Sequence, residues 1–116
     1  EIIFYYGDYG GNKTLRGDIW QMKRQRNTVH PTMKPVELID IAMVDQPKKE
    51  IIYDGFGGSG STLISAEKNH RKAHIMELDE KYVDVIIIRW QDFTGKEAIH
   101  IQTGKTYKEL KDDQPS

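Results

Sequence analysis

The residues whose types and spacing could do chemistry are Asp54, the glycine-rich stretch Gly55-Phe56-Gly57-Gly58-Ser59-Gly60-Ser61-Thr62 that follows it, and the acids Glu77 and Asp79. An acid at the end of an apolar run, followed at once by four glycines in six residues, is a ligand-facing turn. Glycine lets the main chain approach a ligand where a Cβ would collide, and it tolerates positive φ. Ser59, Ser61 and Thr62 are expected to supply hydroxyl caps for a helix from about Gly60 to Asn69. The first N–H groups of that helix and the positive end of its dipole would point at whatever lies over the turn.

The same letters spell Gly55-x-Gly57-x-x-Gly60 with an acid further on, the dinucleotide fingerprint. A dinucleotide would set its pyrophosphate against Asp54, two anions facing each other across the turn. S-adenosylmethionine carries an ammonium, a sulfonium, a carboxylate and a ribose diol, and no phosphate. An acid on the turn (Asp54), N–H groups beside it and an acid after the next strand (Glu77 or Asp79) match those groups one for one.

These residues need a scaffold, and the flanking sequence supplies one. Ile51, Ile52 and Tyr53 suit a buried strand, since β-branched and aromatic side chains fit a pleated, covered surface. Lys72 to Leu78 predicts a second strand, with Ala73, Ile75 and Leu78 available for burial. Turn, helix and strand then form one βαβ crossover, right-handed by rule. Glu77 and Asp79 would lie at the carboxyl end of the second strand, where open α/β sheets bind ligands. Asp79 also suits the N-cap of a helix from about Glu80 to Phe93, leaving Glu77 for the ribose. Tyr82, Val83, Val85, Ile86, Ile87, Arg89 and Trp90 give that helix a broad core-facing surface.

Composition sets outer bounds. The chain has 116 residues, 37% apolar and 30% charged, with net charge −1, the profile of an ordinary globular domain with no global bias towards a charged partner. The lack of cysteine removes disulfides, thiol nucleophiles and thiolate metal sites, and suits a reducing cytoplasm. No apolar run approaches the length of a membrane span, so no membrane partner is expected.

Upstream, Ile2 to Tyr6 and about Gly17 to Met22 are strand candidates separated by a Gly-rich turn. Lys23, Arg24 and Arg26 form a local basic cluster beside Trp20. Such a cluster is either a solvated loop or a phosphate contact for nucleic acid. His30-Pro31-Thr32-Met33-Lys34-Pro35 is a stiff, proline-bounded entry to a helix reaching about Val44. No acid or second histidine stands at metal-ligand spacing from His30, so no metal is expected.

Three motifs in order, His30 to Leu38, Asp54 to Gly60 and Met76 to Tyr82, resemble the cofactor-binding half of an amino-group DNA methyltransferase, of the beta branch in which the catalytic and target-recognition segments precede the cofactor motifs. The resemblance covers about residues 17 to 95. It implies a three-layer, Rossmann-like α/β methyltransferase fold, here incomplete, with a partly parallel sheet and flanking helices. It divides the chain into the end of a recognition region (1–29), part of the S-adenosylmethionine-binding core (30–104) and a polar tail (105–116) expected to fray. By matched position, Asp54 takes the methionine ammonium, Phe56, Gly57, Ser59, Gly60 and Ser61 cradle the cofactor, and Glu77 binds the ribose. His30, Thr32 and Lys34 line the other side of the methionine moiety.

The chain departs from that family in one respect. Amine methylation uses an Asp/Asn-Pro-Pro-aromatic segment whose oxygens hold the target amino group while the ring stacks on the flipped base. The four prolines here stand at 31, 35, 47 and 115, and none is paired. The expectation is that this segment lies upstream of Glu1, that this chain alone is inactive, and that no catalytic residue lies within it. Adenine N6 is expected over cytosine N4 from the family's make-up, not from any residue here. Apolar edges left bare by the missing strands could pair with another chain, including a second copy in a homodimer. Two alternatives remain: an NAD-binding oxidoreductase domain, and a non-catalytic DNA-binding or assembly module using the basic cluster alone.

Overall fold

A strand, a glycine turn, a helix and a parallel strand form the centre of the fold, and two further helices brace them. The computed structural model describes residues 34–44 and 50–115. The expected strands at 2–6 and 17–22, the basic cluster Lys23, Arg24 and Arg26, and His30 and Thr32 lie outside the described residues.

Pro35 opens α1 (Val36–Val44), its carbonyl accepting the Leu38 N–H at 3.2 Å. Proline is preorganised for this position because its φ is already helical and the N–H it lacks would have no helical partner. Leu38 and Met43 are the buried residues of α1. The helix packs on α2 (Ser61–Lys68) through them and through Asp40, whose carboxylate accepts from the buried Ser65 hydroxyl, from Lys68 Nζ at 2.7 Å and from Asn69 Nδ2 at 2.8 Å.

β1 (Ile52–Asp54) and β2 (Ala73–Ile75) pair in parallel, with Ile52 opposite Ala73 and Asp54 opposite Ile75. Between them α2 ends in a Schellman closure. The Arg71 N–H donates to Ala66 O at 2.8 Å and the His70 N–H to Glu67 O at 3.1 Å, with His70 in the left-handed position at φ 55°. That reversal returns the chain into β2.

α3 (Glu80–Thr94) starts at Asp79, whose side chain accepts the Lys81 N–H at 2.9 Å, the cap expected from the sequence. It lies against α2, where Trp90 Nε1–H donates to Glu67 Oε1 at 2.9 Å. Along α3 only Ile86 is buried among the described residues. Its broad apolar surface is therefore partly covered rather than core throughout.

Three local expectations change. Tyr53 is 75% exposed, because period-two alternation turns it away from the helices, and it stacks on His74 of the neighbouring strand at 5.3 Å. Leu78 is 99% exposed, because β2 ends at Ile75 and Leu78 stands in the following loop. The stretch expected to fray forms α4 (Tyr107–Asp112), started by a Thr106/Glu109 capping box and tied to α3 by the Tyr107 hydroxyl on Asp84 at 2.9 Å. Among the described residues, an isolated antiparallel bridge also joins Ile99 to Thr106, just before α4.

Candidate cofactor site

The parallel register brings the carboxyl ends of β1 and β2 side by side, so Asp54 and Glu77 flank the same turn. The ladder continues past the strands into the turn. Met76 N–H donates to Asp54 O at 2.8 Å, and Gly57 N–H donates to Met76 O at 2.8 Å.

Asp54 holds the turn at both ends, accepting the Phe56 N–H on Oδ1 at 3.0 Å and the Thr62 hydroxyl on Oδ2 at 2.6 Å. Glu77 accepts the Gly58 N–H on Oε2 at 2.6 Å and the Asp79 N–H on Oε1 at 3.0 Å. A carboxylate offers about four lone-pair positions, so an acid that clasps the turn is also able in principle to take an ammonium or a hydroxyl. Phe56 stands 94% exposed at the crest of the turn.

The serines and threonine do not cap the helix as the sequence predicts. The N-cap is Gly60 at φ 85°, with no side-chain cap. The hydroxyls are drawn elsewhere: Thr62 to Asp54, and Ser61 to the Lys34 carbonyl at 2.8 Å, while Ser59 lies buried beneath the turn. The Ser61 bond brings the end of the His30 to Pro35 segment against the start of α2, so Lys34 does meet the turn through its main chain.

The glycines also answer to the protein itself. A Cβ on Gly57 would come within 2.4 Å of Ile75 Cγ2, and one on Gly60 within 3.1 Å of Ile86 Cγ1. Their absence of side chain lets β2 and α3 close on the turn.

Arg89 stands among apolar neighbours on α3, yet it is a hydrogen-bond donor to the turn and not part of an apolar surface. Its Nη1 donates to Ser59 O at 3.2 Å and to Ser61 Oγ at 3.2 Å, with Ser59 Oγ at 3.4 Å. Burial lowers the Arg89 pKa from its ordinary value, a shift that leaves the guanidinium charged. The signal that could have revealed it is a cation inside an Ile-Ile-Ile-Arg-Trp run, since an arginine on a covered face needs acceptors.

A recess of about 270 Å³ borders Glu77 between α2, β2 and α3, lined mainly by Leu63, Ile75, Val83, Ile86 and Ile87. Among the described residues no cluster of three or more His, Asp or Glu is placed to hold a metal, and no helix is long and apolar enough to cross a membrane.

A glycine turn between two parallel strands, with Asp54 ending the first and Glu77 two residues past the second, defines an α/β protein of the Rossmann-like class. The family model described as DNA methylase matches residues 7–88, and the chain belongs to this family of amino-group (N6/N4) DNA methyltransferases. That membership sets aside the oxidoreductase alternative. Among curated proteins, the chain is similar to the Type II methyltransferase M.BglII of Bacillus subtilis, 31% identical over 75 residues, or 60% of this chain and 21% of that protein. It is also similar to the Type II methyltransferase M.ScaI of Streptomyces caespitosus, 29% identical over 82 residues, or 62% of this chain and 27% of that protein. Among solved structures, the M1.HpyAVI–SAM complex superposes with a TM-score of 0.58 at 23% identity, over 71% of this chain and 43% of that one, and so shares the fold. The chain thus spans about a quarter of the length of the curated relatives.

Proposed function

We propose that this chain is the cofactor-side portion of a cytoplasmic, site-specific DNA methyltransferase, and that its glycine turn binds S-adenosylmethionine. The observation that carries the reading is the convergence of Asp54 and Glu77 on one turn, two acids at adjacent strand ends beside a helix N-terminus. Asp54 receives the ammonium and Glu77 the ribose hydroxyls. The N–H groups opening α2 face the carboxylate, and Phe56 with Gly57, Ser59, Gly60 and Ser61 walls the methionine. His30, Thr32 and Lys34 close the other side. The apolar recess beside Glu77 gives cover for a flat ring.

When bound, S-adenosylmethionine supplies an activated methyl group. In the overall reaction a bond forms between that carbon and an exocyclic base nitrogen, the sulfur–carbon bond breaks with its electron pair kept by sulfur, and the amine gives up a proton. The residues of this chain bind and orient. The target amine is held by an Asp/Asn-Pro-Pro-aromatic segment that these residues do not contain, so catalysis requires the upstream catalytic segment of the same protein. Lys23, Arg24 and Arg26 contact the phosphates of double-stranded DNA, and adenine N6 is the acceptor, a choice supported by the resemblance alone.

Calorimetric titration of the chain with S-adenosylmethionine and S-adenosylhomocysteine, beside Asp54→Ala, tests the reading. Saturable binding lost in the variant is expected. Salt-sensitive DNA binding indifferent to either compound, with no heat from the cofactor, would instead favour a non-catalytic DNA-binding module. Methyl transfer to DNA by this polypeptide alone would sink the division of labour, and product analysis of the full-length protein decides between N6 and N4.

A further inference from the structure

We propose that Arg89 is a positioning residue for the turn, holding Ser59, Gly60 and Ser61 in the geometry that receives the cofactor. This rests on the reading of that turn as the S-adenosylmethionine site.

One face of α3 acts as a template for the turn. Ile86 and Arg89 are three residues apart and so point the same way. Ile86 packs against Gly60, where a Cβ would fall 3.1 Å from its side chain. Arg89, one turn on, binds the carbonyl before Gly60 and the hydroxyl after it. Ser59 and Ser61 are both buried, so water is a poor substitute for the guanidinium. Ser61 passes the restraint on, donating to Lys34 O while it accepts from Arg89. One cation therefore fixes the glycine turn and the end of the His30 to Pro35 segment relative to each other. These are the two walls assigned to the methionine moiety. Arg89 acts from behind the turn, through the groups it holds.

The test compares wild type with Arg89→Met, which keeps an apolar stem, and Arg89→Lys, which keeps a charge and a shorter reach. Amide hydrogen exchange is read across the whole chain without ligand, and S-adenosylmethionine affinity is read by calorimetry. In Arg89→Met the amides of residues 57–62 should exchange roughly tenfold faster or more, with helix-core amides of α1 and α2 unchanged, and affinity should fall about tenfold or more, the scale of a lost charged hydrogen bond. Arg89→Lys should recover part of both. Exchange and affinity within twofold of wild type in a folded Arg89→Met would overturn the proposal, as would a uniform loss of protection across every element. If Arg89→Met does not fold, Ser61→Ala removes the shared hydroxyl without touching the charge. The same local loosening is then expected, and unchanged exchange at 57–62 would count against the proposal. If wild type itself gives no binding heat, the cofactor reading has failed, and exchange at the turn alone decides whether Arg89 holds it.

Discussion

Glu77 accepts the N–H of Gly58 at 2.6 Å, nineteen positions back in the chain, while its other oxygen takes the N–H of Asp79 at 3.0 Å. One carboxylate thus closes the turn of the first strand against the loop of the second. An acid assigned to a ligand is also a structural clasp, and the two duties can be separated by substitution.

Glu77→Gln keeps a carbonyl oxygen for the Gly58 N–H but loses the charge and acceptor capacity available to a ribose diol. Affinity for S-adenosylmethionine should fall about ten- to a hundredfold, while stability drops by only about 1 kcal/mol, because the amide NH2 cannot accept the Asp79 N–H. Calorimetry beside a melting curve checks both. Equal affinity in the variant would remove Glu77 from the ribose site.

Alanine substitutions along the turn should not be equivalent. Gly57→Ala meets Ile75 and the Met76 carbonyl, and Gly60→Ala combines positive φ with contact against Ile86. Each should cost about 1–3 kcal/mol. Gly55→Ala faces open space without positive φ and should lie within about 0.5 kcal/mol of wild type. Urea denaturation ranks the three, and a large cost at Gly55 would contradict the geometry described.

Asp40 predicts a pH dependence. Burial works to raise its pKa, but hydrogen bonds from Lys68, Ser65 and Asn69, with the Lys68 charge, outweigh it and hold the carboxyl below the ordinary aspartate value. A pKa lowered in the folded state means that the ionised form is favoured by folding. The contribution is fully present above the unfolded value of about 3.9 and is lost as pH falls through the lowered folded value. The stability gap between wild type and Asp40→Asn should therefore be constant above about pH 5 and narrow below about pH 4. Denaturant midpoints across that range measure it, and a gap that widens in acid would refute the assignment.

The crossover was legible because its signals are local. Apolar runs, a glycine break and an acid at each strand end located β1, α2 and β2 to within a few residues, and Asp79 caps α3 as its position suggested. What escaped were relations between distant residues. That Ser61 would bond to Lys34 rather than cap its own helix depends on where α1 docks. That Gly57 and Gly60 make room for Ile75 and Ile86 depends on how closely β2 and α3 approach. Tyr53 carries strand propensity without revealing which face of the sheet is covered. For α4, the Thr106-x-x-Glu109 box was present in the letters, but polar composition outweighed it.

The ties on the glycine turn carry a kinetic consequence. Asp54 and Thr62 are eight positions apart, whereas Glu77 reaches back nineteen, Ser61 twenty-seven and Arg89 thirty. Loop closure costs entropy before long-range contacts can repay it, so the local clasp forms early and the distant ones late. Emerging from a ribosome, the turn would be translated well before Glu77 and Arg89, which complete its restraints. The full set of restraints on the turn is therefore complete only after α3 has been translated and has docked.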